Sequence, residues 1–200
     1  MRATLIETGR RFADRGWMLG TSGSLSVRLG DDPLRVLITV SGVDKGDLAP
    51  DHFLEVTDFT GIADPKASSE AYFEGGRRPS GETLVHEAIY RAIPDAGACY
   101  HIHSVAGTVV SLDGPTTFSD LEMLKGIGRW EPGARVTVPV VPNHADIPTL
   151  ARAVADAANP DVPGVLVAGH GIYAWGPDAE RCRRHVEILE FLFQVALARR

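Results

Sequence analysis

The spacing of apolar residues divides the first third of the chain into one helix and several strands. Residues 2–16 carry Leu5, Ile6, Phe12 and Ala13 at helical spacing, which predicts an amphipathic helix. The segments SLSVRL and LRVLITV are strand-like, and the turn residues Gly30-Asp31-Asp32-Pro33 separate them, so we expect a hairpin. FLEVTD is a further short strand, followed by the turn FTG.

The remainder of the chain alternates between helical and strand patterns. Helices are predicted for SGETLVHEAIYRAI with Ser80 as its cap, for VAGTVVSL, for IPTLARAVADAA, and for the segment from Pro177 to about Arg199. Strands are predicted for GACYHIHS, RVTVPVV and PGVLVAG. Hairpins and helical crossovers both occur, so we expect an α/β fold with a central, mostly antiparallel sheet and helices on both faces. No repeat or linker interrupts the pattern, which predicts one domain over residues 1–200.

Composition and charge limit the kinds of partner that this protein is expected to bind. The formal net charge is −6 and no basic run is present, which argues against nucleic acid or an anionic membrane as the main partner. The sequence has no apolar stretch of about 18 residues and no signal-peptide pattern at its start, so a cytoplasmic protein is expected. Of the two states open to Cys99 and Cys182, reduced thiols are favoured over a disulfide.

Three histidines stand out as candidate metal ligands. His101 and His103 are two residues apart in a predicted strand, so their side chains share one face. His170 follows another strand, and glycines on both sides allow a close backbone approach. Three imidazoles leave an open position on a metal, which is typical of catalytic sites. Cys99 lies on the same face of the predicted strand as His101 and His103 and remains a candidate fourth ligand, although a core cysteine is the simpler interpretation.

The other histidines suggest ordinary roles. His86 lies four residues after Glu82 on the predicted helix, which favours a local pair between these two side chains. His52, His144 and His185 fall in loops or on a polar helix face, where we expect them to be solvated.

Three glycine-containing turns are candidates for binding an anion. They lie in the segments GTSGS (20–24), TVSGVDKG (39–46) and RRPSGE (77–82). Backbone N–H groups at such turns bind phosphate well. Lys45 is able to add a positive charge there, although a solvated lysine is the interpretation that the residues favour.

Two carboxylates are candidate proton carriers. Glu82 stands at a predicted helix start, and Glu122 lies among apolar residues in SDLEMLKGIG. Partial desolvation would raise the pKa of either carboxyl and suit it to proton transfer near neutral pH. From these residues alone, a surface or capping glutamate remains the favoured alternative.

Taken in order, the motifs GTSGSLSVR, TVSGVDKGDL, RPSGETLVHEAIYR, CYHIHSVAG and VAGHGIYAWG resemble those of the class II aldolase/adducin family. The resemblance covers nearly the whole chain. It implies a three-layer α/β/α domain, one Zn²⁺ per subunit, a small sugar-phosphate substrate, and a homotetramer with sites near subunit interfaces.

The resemblance also assigns roles to particular residues. His101, His103 and His170 match the metal ligands, Glu122 matches a catalytic acid/base, and Glu82 matches an acidic catalytic or ligand position. The phosphate-binding turns are matched by Gly23, Ser24, Ser41, Gly42, Ser80 and Gly81. Ser24 stands where the family usually has Asn, and Gly81 stands where a second small polar residue is common, so both departures remove side-chain donors.

Within the family, LEMLKGI, VPVVPNHADIPTLA and HGIYAWG are most similar to the branch that dehydrates a methylthio-substituted 2-ketose 1-phosphate in methionine salvage. Two alternatives remain. One is a sugar-phosphate aldolase that cleaves a C3–C4 bond by the same zinc-dependent chemistry. The other is a non-catalytic, adducin-like interaction domain, which the presence of all three histidines disfavours.

Overall fold

A seven-stranded sheet forms the centre of the protein in a computed structural model, which describes residues 1–62 and 76–200. The strands are β1 (Ser24–Asp31), β2 (Leu34–Thr39), β3 (Phe53–Val56), β4 (Ala98–Ile102), β5 (Thr116–Ser119), β6 (Arg135–Val138), β7 (Val140–Val141), β8 (Gly164–Val167) and β9 (Gly171–Gly176). Their order in the sheet is β3-β2-β1-β4-β9-β8-β7, and β5 pairs with β6 separately. All of these pairs are antiparallel except β7 with β8, which confirms the mostly antiparallel sheet.

Helices cover both faces of this sheet. They are α1 (Arg2–Asp14), α2 (Thr83–Ala92), α3 (Val105–Ser111), α4 (Ile147–Ala157) and α5 (Ala179–Ala198), with 3₁₀ turns at Lys45–Asp47 and Glu122–Ile127. Apolar side chains of α1, α3 and α5 pack in one core cluster, and those of α2 and α4 pack in a second cluster. The three-layer α/β/α arrangement is therefore confirmed.

Strand β4 shows how the sheet separates its two faces. Tyr100 and Ile102 belong to the core cluster on the α1, α3 and α5 side, whereas Cys99 belongs to the cluster on the α2 and α4 side. Side chains alternate along a strand, so His101 shares the face of Cys99. This alternation directs His101 toward the start of α2.

Two element boundaries differ from the sequence prediction. Helix α2 begins at Thr83 rather than after Ser80, because residues 80–82 form a turn in which the Ser80 hydroxyl accepts from the Glu82 N–H at 3.3 Å. The predicted strand RVTVPVV is two strands, because Pro139 has no N–H to continue a ladder.

Two further features of the described residues bear on the sequence predictions. Cys99 and Cys182 are both buried free thiols. Across residues 1–62 and 76–200, no helix has both the length and the apolar character needed to cross a bilayer.

Candidate metal centre

Three imidazole nitrogens converge at one end of the central sheet. The Nε2 atom of His101 lies 2.7 Å from Nε2 of His103 and 3.3 Å from Nε2 of His170, and the last two are 3.0 Å apart. Donor atoms from two distant segments therefore face one point.

The β4–β9 ladder explains why these segments meet. His101 pairs with Tyr173 across the ladder, and His170 immediately precedes β9. Gly171 makes the approach feasible, since a Cβ there would lie 2.1 Å from the Ile102 carbonyl oxygen. The His101 ring stacks on Tyr173, with ring centres 4.0 Å apart and planes 12° from parallel. Tyr173 was not among the site residues predicted from the sequence. It is identified by its position directly across the ladder from His101.

Backbone contacts hold the His101 ring in orientation and the His103 main chain in place. The Nδ1 atom of His101 lies 3.0 Å from the Ile172 carbonyl oxygen, which can only accept, so Nδ1 carries the proton. This tautomer leaves the Nε2 lone pair free for a metal, as in many metal sites. The backbone N–H of His103 donates to the Trp17 carbonyl at 2.9 Å, which ties the residue to the segment after α1.

Glu82 completes the cluster from the start of α2. Its carboxylate oxygens lie 3.2 Å from Nε2 of His101 and 3.2 Å from Nε2 of His170, and its side chain is 19% exposed. One donor atom each from Glu82, His101, His103 and His170 lies within 4.8 Å of the others. Among the described residues the fourth member of the group is therefore this carboxylate, and Cys99, the alternative from the sequence, is not part of it.

Burial and mutual proximity shift the pKa values of His101, His103 and Glu82. Desolvation, together with the neighbouring His101 and His170, lowers the pKa of His103 to about 3. Desolvation also lowers the pKa of His101. For Glu82, burial raises the pKa, but the adjacent imidazoles outweigh it and bring the pKa well below its usual range. Neutral imidazoles and an ionised carboxylate are the forms that bind a cation.

The donor set suits a divalent ion of the zinc type. Zn²⁺ binds imidazole nitrogen at about 2.0–2.1 Å, which places the ligand atoms of a tetrahedral site roughly 3.3 Å apart. The observed separations of 2.7 to 3.3 Å are close to that value. Imidazole and carboxylate also accept iron, cobalt or nickel, so the residues define the class of ion rather than its identity.

The three candidate anion turns gather beside this cluster. Ser24 begins β1 and pairs with His101 in the β1–β4 ladder. The Ser41 N–H donates to the Arg78 carbonyl at 2.9 Å and the Ser80 N–H to the Thr39 carbonyl at 3.0 Å, which brings the second and third turns together. Gly23 has a φ of 74°, and a Cβ there would lie 2.7 Å from the His101 carbonyl oxygen, so a glycine is required.

Comparison with known proteins identifies the family of the chain. The family model described as "Class II Aldolase and Adducin N-terminal domain" matches residues 3–197. The chain belongs to this family.

Two curated relatives of this class II aldolase/adducin chain share one name. A protein of Bacillus subtilis named methylthioribulose-1-phosphate dehydratase is 41% identical over 197 residues, which cover 96% of this chain and 90% of the relative. A protein of Geobacillus kaustophilus with the same name is 39% identical over 194 residues, covering 95% and 88%. Among solved structures, L-fuculose-1-phosphate aldolase from Thermus thermophilus is 28% identical, with a TM-score of 0.74 and coverage of 98% and 95%.

His86 has a different environment from the one predicted. It does not form a local pair with Glu82 but is fully buried, with Nε2 2.8 Å from the Ser24 hydroxyl and Nδ1 2.7 Å from the Ser26 hydroxyl. Desolvation lowers the pKa of His86 to about 3, so the ring is neutral. The fold of this chain places two β1 serines against α2, a long-range contact that helical spacing does not reveal. His185 likewise is not simply solvated, since its Nδ1 lies 2.6 Å from the Trp175 carbonyl oxygen.

The environments of Ser24 and Lys45 show which of their groups are already bonded within the chain. The Ser24 side chain is buried, and its hydroxyl bonds to the His86 ring, so a role for Ser24 in phosphate binding depends on its backbone. Lys45 is not solvated, because its side chain is buried and donates to two backbone carbonyls. Ser41, Gly42 and Gly81 are exposed, while Ser80 is buried within its turn.

Glu122 lies outside the histidine cluster of its own chain. Its side chain is 81% exposed and its carboxylate is 2.8 Å from the Lys125 ammonium. The partial desolvation expected from the apolar neighbours in sequence is absent, because Leu124 and Ile127 turn inward from the 3₁₀ turn while Glu122 turns outward.

Proposed function

We propose that this chain dehydrates 5-methylthioribulose 1-phosphate to 5-methylthio-2,3-dioxopentyl phosphate in methionine salvage, as a zinc-dependent hydro-lyase. One observation carries the proposal: three imidazole nitrogens and the Glu82 carboxylate converge in a chain 39–41% identical to relatives named for this activity. The proposal includes a single domain over residues 1–200, one Zn²⁺ per subunit, a homotetramer and a cytoplasmic location.

The reaction removes water from two neighbouring carbons. A proton leaves C3, which is acidified by the C2 carbonyl, and the C4–O bond breaks with protonation of the leaving hydroxyl. The resulting enol at C3 transfers its proton equivalent to C4 and becomes the 2,3-diketone. A divalent ion held by the histidines supplies Lewis-acid stabilisation of the negative charge that develops on the carbonyl oxygen.

The residues of the chain bind, orient and exchange protons. His101, His103 and His170 hold the ion, with the His101 tautomer set by the Ile172 carbonyl. Glu82, ionised and 3.2 Å from two of these nitrogens, is either a fourth ligand or a proton acceptor. The turns at Gly23-Ser24, Ser41-Gly42 and Ser80-Gly81 would bind the phosphate and thereby determine which carbons face the ion. The donors would be backbone N–H groups of these turns other than those of Ser41 and Ser80, which already donate to carbonyl groups.

Glu122 is the proposed proton carrier for the C4 hydroxyl. In one chain its exposed carboxylate stands apart from the cluster. The proposal therefore places Glu122 at the site of a neighbouring subunit, consistent with the interface location that the family resemblance implies. A positioned acid or base of this kind contributes about 10²- to 10⁴-fold.

An aldolase is the second candidate, and Glu82 favours it. An acidic residue beside the metal ligands suits retro-aldol proton transfer as well as dehydration, and the L-fuculose-1-phosphate aldolase of Thermus thermophilus has the same overall fold. A non-catalytic role is disfavoured, since all three histidines are present and converge with a carboxylate as a metal site requires.

Product analysis tests the proposal directly. Purified protein, with its metal content measured, is incubated with 5-methylthioribulose 1-phosphate and the products are identified by mass spectrometry. Loss of 18 mass units to a diketone phosphate is expected, and it should stop on chelation and return on addition of Zn²⁺. Dihydroxyacetone phosphate plus an aldehyde would instead establish cleavage, and no turnover by fully loaded protein would reject both.

A further inference from the structure

Lys45 is a buried cation that has no role in the reaction as proposed above. Its side chain is 1% exposed, although lysine is rarely buried without an ionic partner. The ammonium donates to the Thr21 carbonyl at 2.9 Å and to the Val43 carbonyl at 2.7 Å. Among residues 1–62 and 76–200, no carboxylate lies within salt-bridge distance of this nitrogen.

The two carbonyls belong to different candidate phosphate turns. Thr21 lies in the first turn, between Gly20 and Ser24, and Val43 directly follows Ser41-Gly42 of the second turn. One ammonium therefore ties together two loops that are 22 residues apart. Its removal would leave both carbonyls without this donor and the loops without their common anchor.

The backbone around Lys45 is held in place from the other side by α1. A Cβ on Gly9 would lie 2.5 Å from the Lys45 carbonyl oxygen and 2.7 Å from the Leu48 side chain, so the helix and the 3₁₀ turn are in close contact. Asp44 belongs to the same turn, and its carboxylate accepts from the Gly46 N–H at 2.7 Å.

The positive charge of Lys45 also affects the pKa of a histidine in the metal cluster. Lys45 is among the groups that lower the pKa of His103, after burial and the two neighbouring histidines. Burial lowers the pKa of Lys45 itself, and the charge of Asp44 offsets part of that effect. A buried positive charge without a close counter-ion is costly, and an anion bound nearby reduces that cost.

We propose that Lys45 is a positioning residue for the substrate phosphate: its ammonium holds the first two turns in register and supplies a buried positive charge beside them. This inference rests on the proposed function for the presence of a phosphate. It also accounts for a site that lacks the side-chain donors usually found at Ser24 and Gly81, since charge at Lys45 strengthens binding by backbone N–H groups.

Two substitutions at Lys45 separate charge from structure. Lys45→Met keeps the length and removes the charge, and Lys45→Arg keeps the charge. Arg152→Met, at an exposed position of α4, is the matched loss of one positive charge. We expect Lys45→Met to weaken binding of inorganic phosphate, measured by calorimetry, by about tenfold to a hundredfold. KM should rise by a similar factor while kcat and zinc content change little, and Lys45→Arg should recover part of the affinity.

A purely structural lysine would give a different result. Lys45→Met would then unfold at a lower temperature but bind phosphate as tightly as the parent, which would overturn the inference. If Lys45→Met does not fold, the unmodified protein still provides a test, because the chain has only three lysines, at positions 45, 66 and 125. Inorganic phosphate should shift the side-chain ¹⁵N resonance of Lys45 more than that of the exposed Lys125, and equal or absent shifts would reject the role.

The outcomes also separate this inference from the proposed function. Phosphate binding that depends on Lys45 in a protein without dehydratase activity would retain the inference and reject the reaction. Dehydratase activity with phosphate affinity unaffected by Lys45→Met would retain the reaction and reject the inference.

Discussion

Glu82 and Glu122 are the two carboxylates singled out for proton transfer, and they differ in burial and in the partners that they contact. Glu82 is 19% exposed and lies 3.2 Å from two imidazole nitrogens, at the start of a helix packed on the sheet. Glu122 is 81% exposed, on a 3₁₀ turn, and its partner is the exposed Lys125. One chain thus assembles the metal-binding half of the site but leaves the second carboxylate pointing into solvent. Under the proposed function, this contrast is explained if Glu122 acts at the site of a neighbouring subunit.

The largest expected effect comes from the metal-binding half. His103→Ala removes one of three converging nitrogens, so the protein should lose bound zinc and slow by about 10³-fold or more, because metal catalysis supplies several kcal/mol. Metal stoichiometry by elemental analysis and turnover with added zinc provide the measurements. His144→Ala, a histidine outside the cluster, is the control. Full zinc occupancy in His103→Ala would contradict the ligand assignment.

A smaller effect is expected for Glu122, together with a specific pattern of recovery. Glu122→Gln should retain zinc but turn over substrate about 10²-fold more slowly, within the range of a lost acid or base. Glu131→Gln, an exposed carboxylate of the same region, serves as the control.

Mixed oligomers then decide whether Glu122 acts across subunits. Glu122→Gln and His103→Ala subunits, co-expressed with different tags, should form some sites with both functional halves intact, so activity should exceed that of either parent. If Glu122 acts within its own chain, every mixed site lacks one half. Mixed oligomers as inactive as the parents would therefore rule out action between subunits.

The smallest expected effect is on the free energy of unfolding, and it concerns the buried His86. His86 has a folded pKa of about 3 and an unfolded pKa near 6.5, so the unfolded state binds more protons as the pH falls below about 6.5. The metal-free protein should lose stability between pH 6.5 and 5, with His86 contributing up to about 1.4 kcal/mol per pH unit. His86→Gln should show a shallower slope in chemical denaturation at several pH values. Identical slopes would contradict the burial of a neutral ring.

Short-range patterns in the sequence were sufficient to predict the sheet and to single out the three histidines that converge. Period-two spacing placed His101 and His103 on one face, and flanking glycines marked His170. The sequence could not show what those faces meet. His86 bonds to β1 serines, Lys45 turns inward to two loop carbonyls, and Ser80 lies in a turn before α2 rather than capping it. Each of these depends on contacts between distant segments, for which local spacing carries no signal.

The stacked pair of His101 and Tyr173 has a practical consequence. With the two planes nearly parallel and 4.0 Å apart, the magnetic field of the tyrosine ring shields the imidazole protons above it. The His101 signals should therefore appear at unusually low frequency in a proton spectrum. Loading with a diamagnetic ion would displace those signals, so metal occupancy can be followed in solution without a substrate or an added dye.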